Sequence, residues 1–117
     1  KSDLLNLLKG IKDGTFSEKD LNVNDEVAAT VMLTSSGYPE KYSTGYEISG
    51  VEDVDCSIVF HAGTKFENDK LITSGGRVMS ITSFGETIEE ALKNSYESVS
   101  KINFKGKYFR NDIGFDL

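Results

Sequence analysis

The sequence predicts an α+β domain: a mostly antiparallel β-sheet with a short N-terminal helix and one long amphipathic helix, Thr87–Ile102. Three observations carry this. Val27–Ser35 and Arg77–Phe84 are strand-length runs rich in β-branched and apolar residues. Shorter apolar runs between them are set off by glycines and by Asn68-Asp69. Thr87–Ile102 instead repeats its apolar residues at helical spacing. The order helix, strands, long helix and tail is that of an α+β domain.

Each element has a local reason. Ser2 is a candidate N-cap and Asp3 suits the positive end of the first helix. Leu4, Leu8 and Ile11 share one face, and Gly14 ends the segment. Val27–Ser35 reads as a strand covered on both faces. Ser36–Glu40 is a loop with the only proline, and Gly45–Gly50 reads as a short strand between glycines. Cys56–His61 is a further strand. Glu67-Asn68-Asp69 turns into Lys70–Thr73, and Gly75-Gly76 breaks that run before the strand from Arg77. In the long helix Thr87 and Glu90 make a capping box. Ile88, Ala91, Leu92, Tyr96 and Val99 form its stripe, and Glu89/Lys93 and Glu97/Lys101 are spaced for i,i+4 pairs.

Composition narrows the function classes. The 117 residues fit a single domain, 1–117, that can bury a core without metals or disulfides. A net charge of −6 without a basic run argues against nucleic acid as the main partner. No apolar run approaches the ~20 residues that span a bilayer. Cys56 is the only cysteine, which excludes an internal disulfide; a half-buried structural thiol is expected. No secretory leader is legible, so a cytoplasmic location is expected. The chain opens on Lys1 and not on methionine, which fits a processed start or a piece of a longer protein.

Few residues carry chemistry. The chain has eleven lysines but only two arginines, Arg77 and Arg110. A planar guanidinium fork matches phosphate or carboxylate. Thr73-Ser74-Gly75-Gly76-Arg77 adds hydroxyls and backbone N–H groups suited to an anion. The plainer reading is a tight turn with Arg77 in a surface salt bridge. His61 closes an apolar strand before Ala62-Gly63-Thr64, where a structural role is the default. No cysteine–histidine cluster offers a zinc site, and neither a Gly-x-Ser-x-Gly elbow nor a P-loop is present. Gly37-Tyr38-Pro39 and Gly45-Tyr46 are either a substrate-facing loop or an ordinary connection.

Four motifs in order carry a resemblance: Gly37-Tyr38-Pro39, His61-Ala62-Gly63-Thr64, Thr73–Val78, and Tyr108–Gly114. With Glu89-Glu90-Ala91-Leu92 and Tyr96 in the long helix, the chain resembles the C-terminal domain of glycinamide ribonucleotide synthetase (phosphoribosylamine–glycine ligase), of the ATP-grasp superfamily. Residues 1–14 look like the helix that joins this domain to the rest. One departure is Tyr108-Phe109-Arg110, where the family often has a tyrosine before the arginine.

The resemblance implies an ATP-dependent carbon–nitrogen ligase of purine biosynthesis. It joins glycine to 5-phosphoribosylamine through an acyl phosphate. The resemblance also implies that ATP and Mg2+ are bound by missing upstream domains, so that this chain alone holds neither catalytic nor metal-binding residues and is inactive. Arg77, Gly75, Gly76, Thr64, Gly63 and His61 would line the cleft for the phosphate and ribose of phosphoribosylamine. Arg110 would reach that phosphate or brace the domain against its neighbours. The rival readings are a purely structural domain bracing the ATP-grasp core and a free-standing small-molecule binding module.

Overall fold

The computed structural model describes residues 1–115. Helix α1 (Leu4–Asp13) opens the chain. After a single 3-10 turn at Glu18–Asp20 come β1 (Val27–Ser35), β2 (Ile58–His61), β3 (Thr64–Glu67), β4 (Lys70–Thr73) and β5 (Arg77–Gly85). Helix α2 (Ile88–Lys101) and the short β6 (Lys107–Tyr108) complete the order. The main sheet runs β2-β5-β1-β6 with every pairing antiparallel, and β3 and β4 form a separate hairpin. The α+β class and the antiparallel sheet expected from the sequence are both present.

β1 and β5 form the longest ladder, from Val27 opposite Gly85 to Leu33 opposite Met79, with an irregularity before Thr34 meets Arg77. Alternation along these strands sends Val31, Leu33, Met79 and Ile81 inward, all fully buried. α2 lies on that inner face and adds Ala91 and Val99; Ile102 and Phe104 follow it into the core. Burying side chains of this size contributes about 1.5–3 kcal/mol each. The outer face of β1 is open: Ala28 and Thr30 are exposed and Met32 and Thr34 only part-buried, so β1 is covered on one face and not on two.

Helix and sheet are also joined by hydroxyls. Ser57 Oγ lies 2.6 Å from both Ser83 Oγ and Ser98 Oγ. Ser95 Oγ is 3.0 Å from Ser83 Oγ and donates to the Ala29 carbonyl at 3.0 Å. Ser83, Ser95 and Ser98 are buried, yet each hydroxyl is satisfied, which removes the penalty of burying it.

The ends depart from the sequence reading in instructive ways. Asp3, not Ser2, caps α1, accepting from Asn6 N at 2.9 Å. Ser2 instead ties the start of the chain back, its Oγ donating to the Asp20 carbonyl and accepting from Asn22 N, both at 2.6 Å. At α2, Thr87 accepts from Glu90 N as expected, but the Glu90 carboxylate reaches past it to Glu86 N. The two expected i,i+4 pairs give way to others: Lys93 pairs with Glu97 at 3.9 Å, and Lys101 leaves the helix surface for Asp55 at 2.9 Å. Gly45–Gly50 is not a strand; it makes only single bridges, Glu47 to Ile72 and Ser49 to Asn103.

Cys56 is exposed, not half-buried, because β2 begins two residues later at Ile58. The Asp55 carboxylate accepts from its thiol and pushes the thiol pKa up. No helix among the described residues is long and apolar enough to cross a membrane.

Candidate functional site at one end of the sheet

Antiparallel pairing brings the C-terminal ends of β1 and β2 beside the N-terminal end of β5. The glycine-rich segments singled out in the sequence all meet there. Gly63 N donates to the Arg77 carbonyl at 2.8 Å, and Ser74 N donates to the Gly63 carbonyl at 2.7 Å. A Cβ on Gly63 would press within 2.7 Å of Gly75 Cα, so the two backbones meet at a distance only glycine permits. Ser35, at the end of β1, takes both glycine carbonyls: its N donates to Gly76 at 2.8 Å and its Oγ to Gly75 at 3.0 Å. The N–H group of Gly75 has no acceptor among the described residues.

The Gly37-Tyr38-Pro39 loop closes over this point. The ring of Tyr38 packs against Gly76 with no space for a side chain, and the Tyr42 ring meets Tyr38 edge-on at 5.9 Å. The Tyr38–Pro39 bond is cis. Buried Thr73 fixes the far end of the loop: its Oγ1 accepts from Tyr46 N at 3.1 Å and its carbonyl from Gly45 N at 2.7 Å.

Arg77 is exposed, and its guanidinium has no ion-pair or hydrogen-bond partner among the described residues. That removes the surface salt bridge as an explanation for it. Arg110 is differently placed. Its Nε and Nη2 both reach Asp112, each at 2.8 Å, holding the Asp112 carboxyl below the usual carboxylate range. Its carbonyl accepts from Tyr96 Oη, which in turn accepts from Ile113 N, so this arginine sits inside a braced tail.

His61 Nδ1 and Thr64 Oγ1 share a hydrogen bond of 3.0 Å across the turn. His61 also borders a cavity of about 490 Å³ with Glu47, Phe66, Asp69 and Lys70 among its walls. The structure therefore brings Gly63, Gly75, Gly76 and Arg77 together, gives His61 and Thr64 to the adjoining turn, and leaves Arg110 with Asp112.

The sequence reading passed over two lysines near this loop. Lys41 and Lys105 line a cavity of about 330 Å³ with Ser36, Tyr42, Ser43, Tyr46 and Gly106, and the Lys105 ammonium stands 5.2 Å from the Tyr46 ring centre. The signal was present in the spacing of basic and aromatic residues, but the two segments lie some sixty residues apart. Among the described residues no group of three His, Cys, Asp or Glu gathers to hold a metal.

Fold and loops together define a small antiparallel α+β domain that presents, at one end of its sheet, an exposed arginine with no partner among the described residues. A guanidinium fork beside a backbone N–H matches the geometry of an anion. The chain belongs to the phosphoribosylglycinamide synthetase C domain family, whose model matches residues 28–116.

It is 45% identical over 114 residues to the phosphoribosylamine–glycine ligase of Clostridium acetobutylicum, covering 97% of this chain and 27% of that one. A similar match, 42% over 118 residues, joins it to the ligase of Salmonella typhimurium. It also aligns, at 44% identity, with 15% of a bifunctional purine biosynthetic protein of Pichia angusta. The crystal structure of the phosphoribosylamine–glycine ligase of Thermotoga maritima superposes with a TM-score of 0.79 at 33% identity, over 92% of this chain and 26% of that one. The chain thus spans about a quarter of the length of the ligases it matches.

Proposed function

We propose that the chain works as the C-terminal part of a phosphoribosylamine–glycine ligase, which joins glycine to 5-phosphoribosylamine while ATP is converted to ADP and phosphate. Its share of the work is to wall the substrate cleft. The observation that carries this is Arg77: exposed and without a partner among the described residues, beside the Gly75 N–H, which has no acceptor among them either. An arginine with no carboxylate partner among the described residues is available to an anion from outside the chain.

The phosphate of phosphoribosylamine supplies that anion, with about two negative charges near neutral pH. Because the domain is acidic, long-range attraction is unfavourable, and binding rests on short, directed donors. The Arg77 fork and the Gly75 amide are of that kind. Gly63 permits the close approach that brings these segments together. His61 and Thr64 fix the adjoining turn, and Arg110 braces the tail through Asp112. On this reading ATP and magnesium are held by the part of the ligase outside this chain, which makes up about three quarters of the matched ligases.

The test is steady-state kinetics of the full-length ligase carrying Arg77→Ala. Losing a hydrogen bond to a charged group costs about 1.5–3 kcal/mol. The kcat/KM for phosphoribosylamine should then fall roughly ten- to a hundredfold, with the KM for ATP little changed. Arg77→Lys should recover only part of the loss, because lysine lacks the planar fork. Unchanged phosphoribosylamine kinetics, or a loss of thermal stability alone, would return the domain to a purely structural role.

A further inference from the structure

The lysines of the folded body divide by what they touch. From β1 onward there are seven. Lys65, Lys70, Lys93 and Lys101 each meet a carboxylate, at distances between 2.7 and 3.9 Å. Lys107 is spent on the carbonyls at the end of α2. The remaining two, Lys41 and Lys105, have no carboxylate partner among the described residues, and both line the same cavity of about 330 Å³.

No acidic residue lines this cavity, although the chain has nineteen of them. Tyr42, Tyr46, Ser36 and Ser43 share its walls, and the hydroxyls of the two serines have no hydrogen-bond partner among the described residues. The Lys105 ammonium stands 5.2 Å from the Tyr46 ring centre, a contact that holds it at the wall without neutralising it. A hollow walled by one sign of charge gathers the opposite sign from solution.

The backbone around the cavity is fixed before anything binds. Ser36 N donates to the Gly106 carbonyl at 2.7 Å, and Lys107 N donates to the Phe104 carbonyl at 3.2 Å, closing the turn that carries Lys105. Thr73 anchors the far end of the Lys41 loop through Gly45 and Tyr46. A preset frame lowers the ordering cost of binding. The cavity also stands apart from Arg77, which is not among its walls. Thr34 pairs with Arg77 on one side and with Tyr108 on the other, so β1 runs between Arg77 and the turn of Lys105. Two strand spacings amount to about 10 Å.

We infer that the cavity between Lys41 and Lys105 is a second anion site, and that it takes a small phosphate monoester. The phosphoryl group, with about two negative charges near neutral pH, meets the two ammonium groups and the serine hydroxyls. The organic part of the ester lies against the tyrosine rings, because about 330 Å³ exceeds a bare phosphate and suits a small ligand.

The experiment is acetylation of the full-length ligase by an N-hydroxysuccinimide ester of acetate, read lysine by lysine by peptide mass spectrometry. The probes are ribose 5-phosphate, AMP and inorganic phosphate, each titrated separately. Expected is labelling of Lys41 and Lys105 severalfold slower with either ester, with exposed Lys65 and Lys93 unchanged. The ester that acts at the lower concentration shows whether the organic part is a sugar alone or a nucleoside. Lys41→Gln should abolish the protection of Lys105, and Arg77→Ala should leave the protection of both lysines in place. Equal labelling with and without the esters overturns the inference. So does slow labelling of both lysines before any probe is added, which would mean that another part of the ligase covers them. Protection by inorganic phosphate as strong as by the esters, or protection of Lys105 kept in Lys41→Gln, also counts against it. Protection lost in Arg77→Ala would place the ester in the Arg77 site and overturn the second one, whatever the Arg77 kinetics show.

Discussion

The ring of Tyr38 lies directly on Gly76, and the fit leaves no volume for a Cβ at that glycine. Two segments far apart in sequence are thereby fixed to each other next to Arg77. The relationship gives the candidate site a test independent of any charge. Gly76→Ala must push the Tyr38 ring aside, and in the full-length ligase it should lower kcat/KM for phosphoribosylamine with the KM for ATP held. Tyr38→Ala added to it should relieve the clash, so the double variant should be less impaired than the sum of the singles. Strict additivity, measured by double-mutant kinetics, would show that the packing does not matter to the substrate.

Cys56 offers a thiol that is accessible yet held protonated. Asp55 accepts from it and pushes its pKa up, and only the thiolate attacks. Labelling by iodoacetamide near pH 8 should be slower than for a free peptide thiol, and Asp55→Asn should accelerate it. A labelling rate in the native chain equal to that of the peptide removes the role given to Asp55.

Acid should loosen two surface pairs. The hydrogen bond from Lys101 holds the Asp55 carboxyl down, and that from Arg110 holds Asp112 down. A carboxylate whose folded pKa lies below its unfolded value of about 4 stabilises the fold above that value. The contribution disappears as pH falls through the folded pKa. Carbon-detected NMR titration should show both carboxyls titrating below the usual aspartate range. The urea midpoint of an Asp55→Asn, Asp112→Asn variant should converge on that of the parent at the acid end. A gap that persists there would place the effect of the variant elsewhere than in charge.

The core should respond by cavity formation. Leu33 is fully buried between the sheet and the residues that follow α2. Leu33→Ala should cost about 2–5 kcal/mol in urea unfolding. A cost under 1 kcal/mol would mean that the site collapses freely, contrary to a packed core.

Lys107 should act as a helix cap built from outside the helix. Its Nζ donates to the carbonyls of Val99 at 3.1 Å and Ile102 at 2.6 Å, where the negative end of the α2 dipole lies. Lys107→Met keeps most of the side-chain length and should lower stability by about 1 kcal/mol, seen as faster amide exchange in the last turn of α2. Unaltered exchange there would show the ammonium to be incidental.

Much of the fold was legible because periodicity is a local property. The two long strands and α2 each declare themselves within a dozen residues, and the elements follow. The setting of Arg77 was legible for a different reason: Gly75-Gly76 adjoins it in sequence, and strand order brings Gly63 to them. What escaped needed three dimensions. Serine is neutral in a helix and common on surfaces, so nothing in the pattern marks Ser95 and Ser98 as partners of Ser83 and Ser57. Lys101 was assigned to Glu97 on its own helix, but Asp55, forty-six residues earlier, packs beside it. Cys56 was expected to be half-buried because it opens the apolar run Cys56–Phe60, but the register of β2 turns Ile58 and Phe60 outward. Arg110 had one partner two residues away, and only the geometry shows that its Nε and Nη2 both reach Asp112.

The four serines between α2 and the sheet have a consequence for how the domain can change over time. A helix seated on methyl groups slides or rotates by small steps at small cost, since dispersion has no direction. A helix seated on hydroxyls has discrete positions, like a key with teeth, because each oxygen must find its own counterpart. Losing Ser57 strands buried Ser98, whose hydroxyl meets no other serine. Losing one of the other three leaves its neighbours with one partner fewer. The same teeth hold the sheet, and with it the end that carries Arg77, at a fixed setting against the helix.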